Sequence, residues 1–594
     1  MRRSIATVCL SGTLTEKLTA VARAGFDGVE IFENDLVASP LSPEEIRTRT
    51  ADLGLTIDLY QPMRDVEAVP EEVFTRNLRR ARRKFELMRR LGADTVLVCS
   101  NISPQALDDD ALAAAQLRRL ADLAQDFGIR VAYEALAWGR HVSTYDHAWC
   151  IVEMAGHPAL GICLDSFHIL SRGSDPKGIE DIPGEKIFFL QLADAPLMAM
   201  DVLQWSRHYR CFPGQGGFDV AGLLRHVIHA GYNGPLSLEV FNDVFRQADA
   251  GRTAVDGLRS LLALEESVGV LPLPAPVIPT GVAFAELATG DPQPVSKLLG
   301  ALGFTRAARH RGTPVELWEQ GAARVLVNTG TATRRSGTTL AAIGLESPDP
   351  AAAARRGEAM LAPTLPRRRT AHDVPLESIA APDGTELLYC ATSRSQLPSW
   401  TDDFEPLGDA PRPASGVTAI DHLALTQPRH HFDEAVLFHR TVLGLRPRDT
   451  VEFADPYGLF RSRALSAPQN GPRLVLNLAP GPTEEGESRA QHVAFAVDDI
   501  VTAVRRIQGA GGELLRIPAN YYDDLQTRYE FPDGELETYR ELGILYDRDE
   551  QGGEFRHCYT ATLGHVFFEL VQRIGGYRGY GAANAPIRLA AQRH

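Results

Sequence analysis

The chain is short of several things at once, and each shortage closes off a class of function. Its seven cysteines (Cys9, Cys99, Cys150, Cys163, Cys211, Cys390 and Cys558) are odd in number and never spaced Cys-x-x-Cys. Neither a disulfide framework nor a zinc knuckle is therefore indicated, and a reducing cytoplasm is the expected compartment. No apolar run reaches the length needed to cross a bilayer. Positive charge is in deficit, with 61 Lys and Arg against 76 Asp and Glu and a formal net charge of -15. Nucleic acid and anionic membrane are excluded as general partners on that ground. The opening Met1-Arg2-Arg3 precedes an apolar run, but Thr7, Ser11 and Thr13 interrupt it and no cleavage site follows, so a first strand is expected there and not a secretory leader.

What remains is an ordinary globular composition, 44% hydrophobic and 23% charged. At 594 residues the chain exceeds a single core, and a prior of roughly 150 residues per domain suggests about four units, or fewer larger ones. Between Arg3 and about Leu264, short apolar runs alternate with longer amphipathic segments, the pattern of repeated βα units. Eight runs begin near Ile5, Val29, Thr56, Thr95, Arg130, Gly161, Ile187 and Leu236. Several follow the same turn chemistry, as at Gly25, Gly92 and Gly231, where glycine ends a helix ahead of the next strand. Eight such units predict a TIM barrel over residues 1–268, with its active site at the C-terminal ends of the strands.

Residues 269–280 contain four prolines, which forbid helix and favour an extended spacer. Beyond them the character changes to short strands with single helices. Leu302-Gly303-Phe304 and Val325-Leu326-Val327-Asn328 are matched by Leu443-Gly444-Leu445 and Leu474-Val475-Leu476-Asn477. This degenerate repeat predicts βαβββ modules starting near Val282, Leu340, Asp421 and His492, paired into two open barrels. A second spacer is expected near Leu397 to Gly416, dividing residues 281–594 into a first half (281–396) and a second half (416–594).

Four of the barrel runs end on an oxygen donor: Val131-Ala132-Tyr133-Glu134, Gly161-Ile162-Cys163-Leu164-Asp165, Ile187-Phe188-Phe189-Leu190-Gln191 and Pro235-Leu236-Ser237-Leu238-Glu239. A lone acid at a strand end is more often a helix cap or half of an ion pair. Four on consecutive strands would make a cation site, and an all-oxygen set suits magnesium, manganese or cobalt better than structural zinc. His168, one short turn beyond Asp165, is the candidate base, chosen because a near-neutral imidazole suits proton abstraction; the plainer reading is a histidine packed in a wall. Arg210 and Ser206, with Arg64, are the candidates for gripping an anionic group, since a guanidinium binds one in a bidentate fork. Pro213-Gly214-Gln215-Gly216-Gly217 lacks the Lys and the context of a P-loop and is expected to be a turn at the pocket mouth. His141, His147 and His208 are expected to form local hydrogen bonds.

On these residues the first part of the chain, about 1–265, resembles the xylose-isomerase-like isomerase and epimerase barrels, which place Glu, Asp, His or Gln, and Glu at the same strand ends. Leu164-Asp165-Ser166-Phe167-His168 and the glutamine of Gln191-Leu192-Ala193-Asp194 narrow the likeness to bacterial 3-dehydroshikimate dehydratases that carry an appended dioxygenase-like domain. That resemblance implies a hydro-lyase of aromatic catabolism acting in quinate and shikimate degradation. It would turn a small molecule, 3-dehydroshikimate, into protocatechuate and water, with Glu134 and His168 as catalytic residues and self-association of the chain allowed for.

The second part carries Ile420-Asp421-His422-Leu423-Ala424, Gln491-His492-Val493-Ala494-Phe495 and Val566-Phe567-Phe568-Glu569-Leu570. Two histidines and a glutamate on alternating strands are the facial set that leaves open positions on non-haem iron. With Glu541–Asp549 before and Gly579–Asn584 after, this part resembles 4-hydroxyphenylpyruvate dioxygenase, a vicinal-oxygen-chelate fold, and the likeness implies a second divalent ion, magnesium or iron, on His422, His492 and Glu569. Three departures point away from oxygenation: His557 stands where the dioxygenases have a substrate-orienting glutamine, Glu487-Ser488-Arg489-Ala490 replaces a glycine-rich approach, and the first repeat offers Phe284 and Glu286 in place of a histidine, so that only the second open barrel is expected to hold a metal. A regulatory, stabilising or interface role is expected instead. A sugar isomerase in the barrel and an active dioxygenase in the second part are the competing readings.

Overall fold

Eight parallel strands close on one another in the computed structural model, which describes residues 1–330, 337–365, 373–393, 397–408, 416–455, 458–468, 471–478 and 491–593. They are β1 (Arg3–Ala6), β2 (Gly28–Phe32), β3 (Thr56–Met63), β4 (Thr95–Cys99), β5 (Arg130–Glu134), β6 (Leu160–Asp165), β7 (Ile187–Leu192) and β8 (Leu236–Leu238). Each pairs with its sequence neighbour, and β8 returns to β1. This is a TIM barrel, each strand sitting where an apolar run predicts it. Parallel neighbours require crossover helices, and local sequence sets their ends. The helix Leu14–Ala24 starts at a Thr13–Glu16 capping box and stops at Gly25, and Glu71–Leu91 stops at Gly92. Those glycines sit at φ of +100° and +83°, a region other residues enter only with strain.

Register levels the strand ends that matter. Glu134 lies opposite Cys163 and Asp165 opposite Gln191, which in turn faces Ser237 two residues before Glu239. The barrel is latched where its ends meet: the Met1 amino group and Arg3 both reach the buried Glu265 carboxylate, at 2.9 and 2.6 Å, on the last helix, Ala250–Ser267.

The chain divides into two units, Met1–Leu273 and Pro274–His594. The second unit holds two eight-stranded sheets built from four modules. The first module is β9 (Gly281–Ala288), the helix Pro292–Ala301, and β10 (Thr305–His310), β11 (Val315–Gln320) and β12 (Ala323–Asn328). The second has β13 (Thr339–Glu346), β14 (Glu377–Ala380), β15 (Glu386–Cys390) and β16 (Phe404–Pro406). The third is β17 (Val417–Thr426), β18 (Arg446–Asp455), β19 (Gly458–Ser466) and β20 (Arg473–Leu478), and the fourth begins at β21 (Gln491–Val497) and ends with β22 (Leu545–Arg548), β23 (Glu554–Tyr559) and β24 (Val566–Ile574). In the first, third and fourth modules the opening strand pairs in parallel with the last one.

The second module departs from the repeat, because β16 crosses to pair with β10. Part of the stretch expected as a spacer from Leu397 is thus structural. Trp400 is only 2% exposed and packs 4.7 Å from Phe284; two large apolar side chains, Trp400 and Phe404, found a sheet to cover. Among the described residues no helix is long and apolar enough to cross a membrane.

One buried acid near the barrel rim makes stability depend on pH. Glu67 accepts hydrogen bonds from the Asn101 amide (2.7 Å) and the Tyr133 hydroxyl (3.0 Å), yet burial pushes its pKa up to about 7. Folding therefore favours the neutral carboxyl. The stability it contributes is fully present below the unfolded value of about 4.3 and is lost as pH rises toward 7. Glu67→Gln should match the wild type near the unfolded value and exceed it by up to about 3 kcal/mol in mild alkali, read from the barrel's calorimetric transition at both pH values. A pH-independent difference would refute this.

Candidate functional site

At the C-terminal mouth of the barrel the predicted donors meet inside protein. Glu134 ends β5, Asp165 ends β6 and caps the following turn by accepting the His168 amide at 3.0 Å, and Glu239 follows β8. All are at most 4% exposed, as is His168. Glu134, Asp165 and His168 offer ligand atoms within 4.8 Å of one another. Glu239 joins them through Arg210, whose Nη1 donates to Asp165 Oδ2 (2.8 Å) and Glu239 Oε2 (3.0 Å). Gln191 is placed differently: it ends up deep in the barrel, donating to Glu30 Oε2 at 2.6 Å and accepting from the Cys163 thiol at 3.4 Å.

Arg210 is buried and fully engaged. Nε and Nη2 both donate to Ser206 Oγ (3.1 and 2.9 Å), and Nη2 lies 3.2 Å from His168 Nε2. Ser206 thus positions the arginine. Arg64, by contrast, is exposed and makes no hydrogen bond or ion pair among the described residues. It lines the pocket over the carboxylates together with Trp138, His168, Ser206, Arg207 and Phe241. A cleft of about 430 Å³ beside it shares Pro62, Arg64 and Arg207 and adds Arg80 and Lys84 against Glu33 and Asp65, with Lys84 paired to Glu33 at 2.6 Å, so a modest local excess of cations lies beside the pocket in a chain of net charge -15.

Charge balance tests whether a cation fits here. Burial, then Asp165 and Glu239, hold the Glu134 carboxyl well above the usual range, and burial pushes Glu239 up to about 7 in spite of Arg210. Burial works against Asp165 too, but Arg210 and His168 keep it below its ordinary value. Glu134 Oε1 is buried and accepts nothing. Too many buried carboxylates around one guanidinium, with one oxygen unpartnered, fit a further positive charge. His168 is driven the other way, down to about 3, by burial with Arg210 and Arg64 opposing Asp165. Its Nδ1 accepts the Ala137 amide at 3.2 Å, and Trp138 packs edge-on at 5.1 Å. The imidazole is neutral across the physiological range, a lower value than the near-neutral one expected from its residue type.

Glu30 was not anticipated. It sits in the middle of β2, is fully buried, and accepts from Gln61, Gln191 and Ser237. The apolar run of β2 continues through Ile31 and Phe32, so Glu30 ends no run and lacks the signal of the four donors noted above. The glycine-rich loop is a cradle after all, but for the chain's own Asp194, whose carboxylate accepts the amides of Ala195, Gly214, Gly216 and Phe218 at 2.8–3.1 Å. A Cβ on Gly216 would lie 2.3 Å from Asp194 Oδ1. His141, His147 and His208 bond locally, to the Ala106 carbonyl, Asp110 and Asp243.

The second site forms on β17, β21 and β24. His422 Nε2 and His492 Nε2 lie 3.1 and 3.2 Å from Glu569 Oε2, and the three residues offer ligand atoms within 4.8 Å of one another. His557 Nδ1 donates to the other oxygen, Oε1, at 2.7 Å and its Nε2 accepts from Asn584 at 2.9 Å, so this histidine holds a ligand residue in place. Asp421 in turn holds His422 Nδ1 (2.8 Å) and is gripped by Arg573. Oriented second partners of this kind are what a metal triad needs. Residues 487–490 lie outside the described residues. In the first sheet Phe284 is packed in the core and Glu286 accepts from Asn328. His310, Asp373 and Asp403 also bring ligand atoms within 4.8 Å of one another there, at its β10–β16 edge, where the Asp403 carboxylate already accepts the Val374 amide at 2.9 Å.

Residues 18–264 match the family model of the xylose isomerase-like TIM barrel, residues 274–369 that of the hydroxyphenylpyruvate dioxygenase N-terminal region, and residues 419–536 that of the glyoxalase/bleomycin resistance protein/dioxygenase superfamily. Curated proteins named 3-dehydroshikimate dehydratase from Pseudomonas putida and Pseudomonas aeruginosa are 45% and 46% identical, each over 100% of this chain and 98% of the relative. A 4-hydroxyphenylpyruvate dioxygenase from Pseudomonas aeruginosa is 27% identical over 52% of this chain and 92% of its own. A solved xylose isomerase-like TIM barrel/4-hydroxyphenylpyruvate dioxygenase fusion protein superposes with a TM-score of 0.90 at 43% identity, covering 100% of this chain and 99% of that one.

Proposed function

Since the chain belongs to the 3-dehydroshikimate dehydratase family, we propose that its barrel converts 3-dehydroshikimate to protocatechuate and water. The observation that carries this reading is the buried group of Glu134, Asp165, Glu239, His168 and Arg210 beside a modest local excess of cations. Glu134, Asp165, Gln191 and Glu239 would hold a divalent cation, magnesium, manganese or cobalt, and Lewis-acid polarisation of the ring ketone is the chemistry it supplies there. Gln191 would have to release Glu30 to take part.

The residues of the chain do the rest. Arg64, exposed and unpaired, receives the substrate carboxylate. The hydrogen on the carbon beside the ketone is acidic, and Glu134 and His168 handle it, their Oε1 and Nε2 lying 3.9 Å apart. His168 arrives neutral and accepts at Nε2 in the tautomer that carries its hydrogen on Nδ1, for which it would have to release the Ala137 amide, and the adjoining carboxylate stabilises the imidazolium once formed. As the neighbouring carbon–oxygen bond breaks, the same proton returns to the departing hydroxyl and leaves as water. Tautomerisation then makes the ring aromatic. Arg210, held by Ser206, keeps Asp165 ionised throughout.

The second unit would hold its own divalent ion, magnesium or iron, on His422, His492 and Glu569, without oxygenating 4-hydroxyphenylpyruvate. His557, tied to Glu569 and Asn584, is not free to orient a substrate.

Protein supplied with manganese and 3-dehydroshikimate should develop the ultraviolet absorption of a catechol acid, and His422→Ala should retain that rate to within about twofold. No catechol acid with magnesium, manganese or cobalt, together with isomerisation of a ketose, would hand the barrel to the isomerase reading. Oxygen uptake with iron and 4-hydroxyphenylpyruvate would overturn the assignment of the second unit.

A further inference from the structure

The buried arginines of the described residues are Arg210, Arg259, Arg356 and Arg588. Arg210 has two carboxylates, Arg259 has Asp256, and Arg356 has the carbonyls of Thr441 and Pro274. Arg588 has no such partner. It lies on the last helix, Ala585–Ala591, and is 6% exposed. Its Nη1 donates to the Gln592 side chain at 2.7 Å, the Tyr559 hydroxyl is a further hydrogen-bond partner, its Nε donates to nothing, and no acid among the described residues pairs with it.

Its surroundings are those of the second site. The guanidinium carbon stands 5.3 Å from the Phe567 ring and 5.7 Å from the Tyr559 ring. Those rings pack 4.8 and 6.0 Å from His492. Glu569 and Tyr559 lie within electrostatic reach of the charge. Two polar atoms around the same site share its condition: the Tyr580 hydroxyl and Asn584 Oδ1 are buried without a hydrogen-bond partner. The other arginines around Tyr580 are occupied, Arg473 and Arg573 by Asp421 and Arg448 by the Arg578 carbonyl. A desolvated cation with a free Nε and no carboxylate paired to it is costly to keep, and an arginine fork matches a carboxylate.

We propose that Arg588 receives the carboxylate of a small aromatic acid bound in the second unit beside His422, His492 and Glu569. The aromatic character of the ligand follows from the Tyr559 and Phe567 rings that flank the guanidinium. The anion is taken by the arginine and not by the triad, which leaves the triad's ion free for other oxygen donors of the same ligand. This assignment stands on its own whether or not the barrel is a dehydratase.

Isothermal titration of the full-length, magnesium-loaded chain with benzoate, which cannot chelate through a diol, tests it. Wild type should bind benzoate, Arg588→Met should bind it at least about tenfold more weakly, and Arg588→Lys should recover part of the difference. Because Arg588→Met could disturb the helix, wild type is also titrated with benzamide, which has the same ring without the charge. Benzamide should bind at least about tenfold more weakly than benzoate. No benzoate binding by wild type, equal affinity in wild type and Arg588→Met, or equal affinity for benzamide and benzoate would each overturn the proposal.

Discussion

Glu134→Gln should lower kcat on 3-dehydroshikimate by about 10³-fold, within the range that positioned acid–base groups supply. The substitution preserves shape and the contact from the Cys99 thiol at 3.4 Å, so packing changes little. What it removes is a proton-exchanging carboxyl beside His168 Nε2 and the one oxygen of the cluster that accepts nothing. It also relieves repulsion among buried acids, since Asp165 and Glu239 are among the groups that push Glu134 upward. The variant should therefore be no less stable than wild type while being nearly inactive, a combination that unfolding cannot mimic. Steady-state kinetics beside calorimetry on the same preparation decide it. A loss below about tenfold would remove Glu134 from proton handling and from the cation site alike.

Arg210→Met carries the largest expected effect on stability. With chelator present, Arg210 is the group that balances Asp165 and Glu239, and all three are buried. Taking one partner from a buried ionic cluster costs about 3–5 kcal/mol, because the charges left behind cannot be solvated. For a unit of this size that is a fall of roughly 10 °C in the barrel's transition. Excess manganese should restore much of the loss in the variant and stabilise it more than wild type, because a cation between the same carboxylates does the work of the missing guanidinium. Equal manganese shifts in both proteins would separate Arg210 from the cation site.

The barrel was legible in the sequence because strands buried on both faces leave continuous apolar runs, and because Gly25 and Gly92 mark helix ends. The donors could be read for the same reason: a strand's last residue projects from the barrel's rim. Their partners could not be. That Arg210 lies between Asp165 and Glu239 depends on how the segment after β7 folds back, and no periodicity records that. The depressed basicity of His168 likewise follows from its neighbours and not from its residue type. Glu30, in the middle of β2 with Ile31 and Phe32 after it, gave no strand-end signal. In the second unit the triad was plain from three alternating strands, whereas Arg588, alone on a terminal helix, gave no sign before its surroundings were known.

The Asp194 cradle has one more implication. The segment between Ala195 and Phe218 brings Ser206, Arg207 and Arg210 to the pocket, and its two ends are pinned together by a carboxylate that binds amides from both sides, reinforced by the backbone pairing of Asp194 with Cys211. Such a purse-string separates tolerance from constraint. The crown of the loop, around the exposed Leu197 and Met198, can be exchanged or lengthened to re-tune which acids are admitted, while a side chain at Gly216 would open the knot and withdraw the cations together.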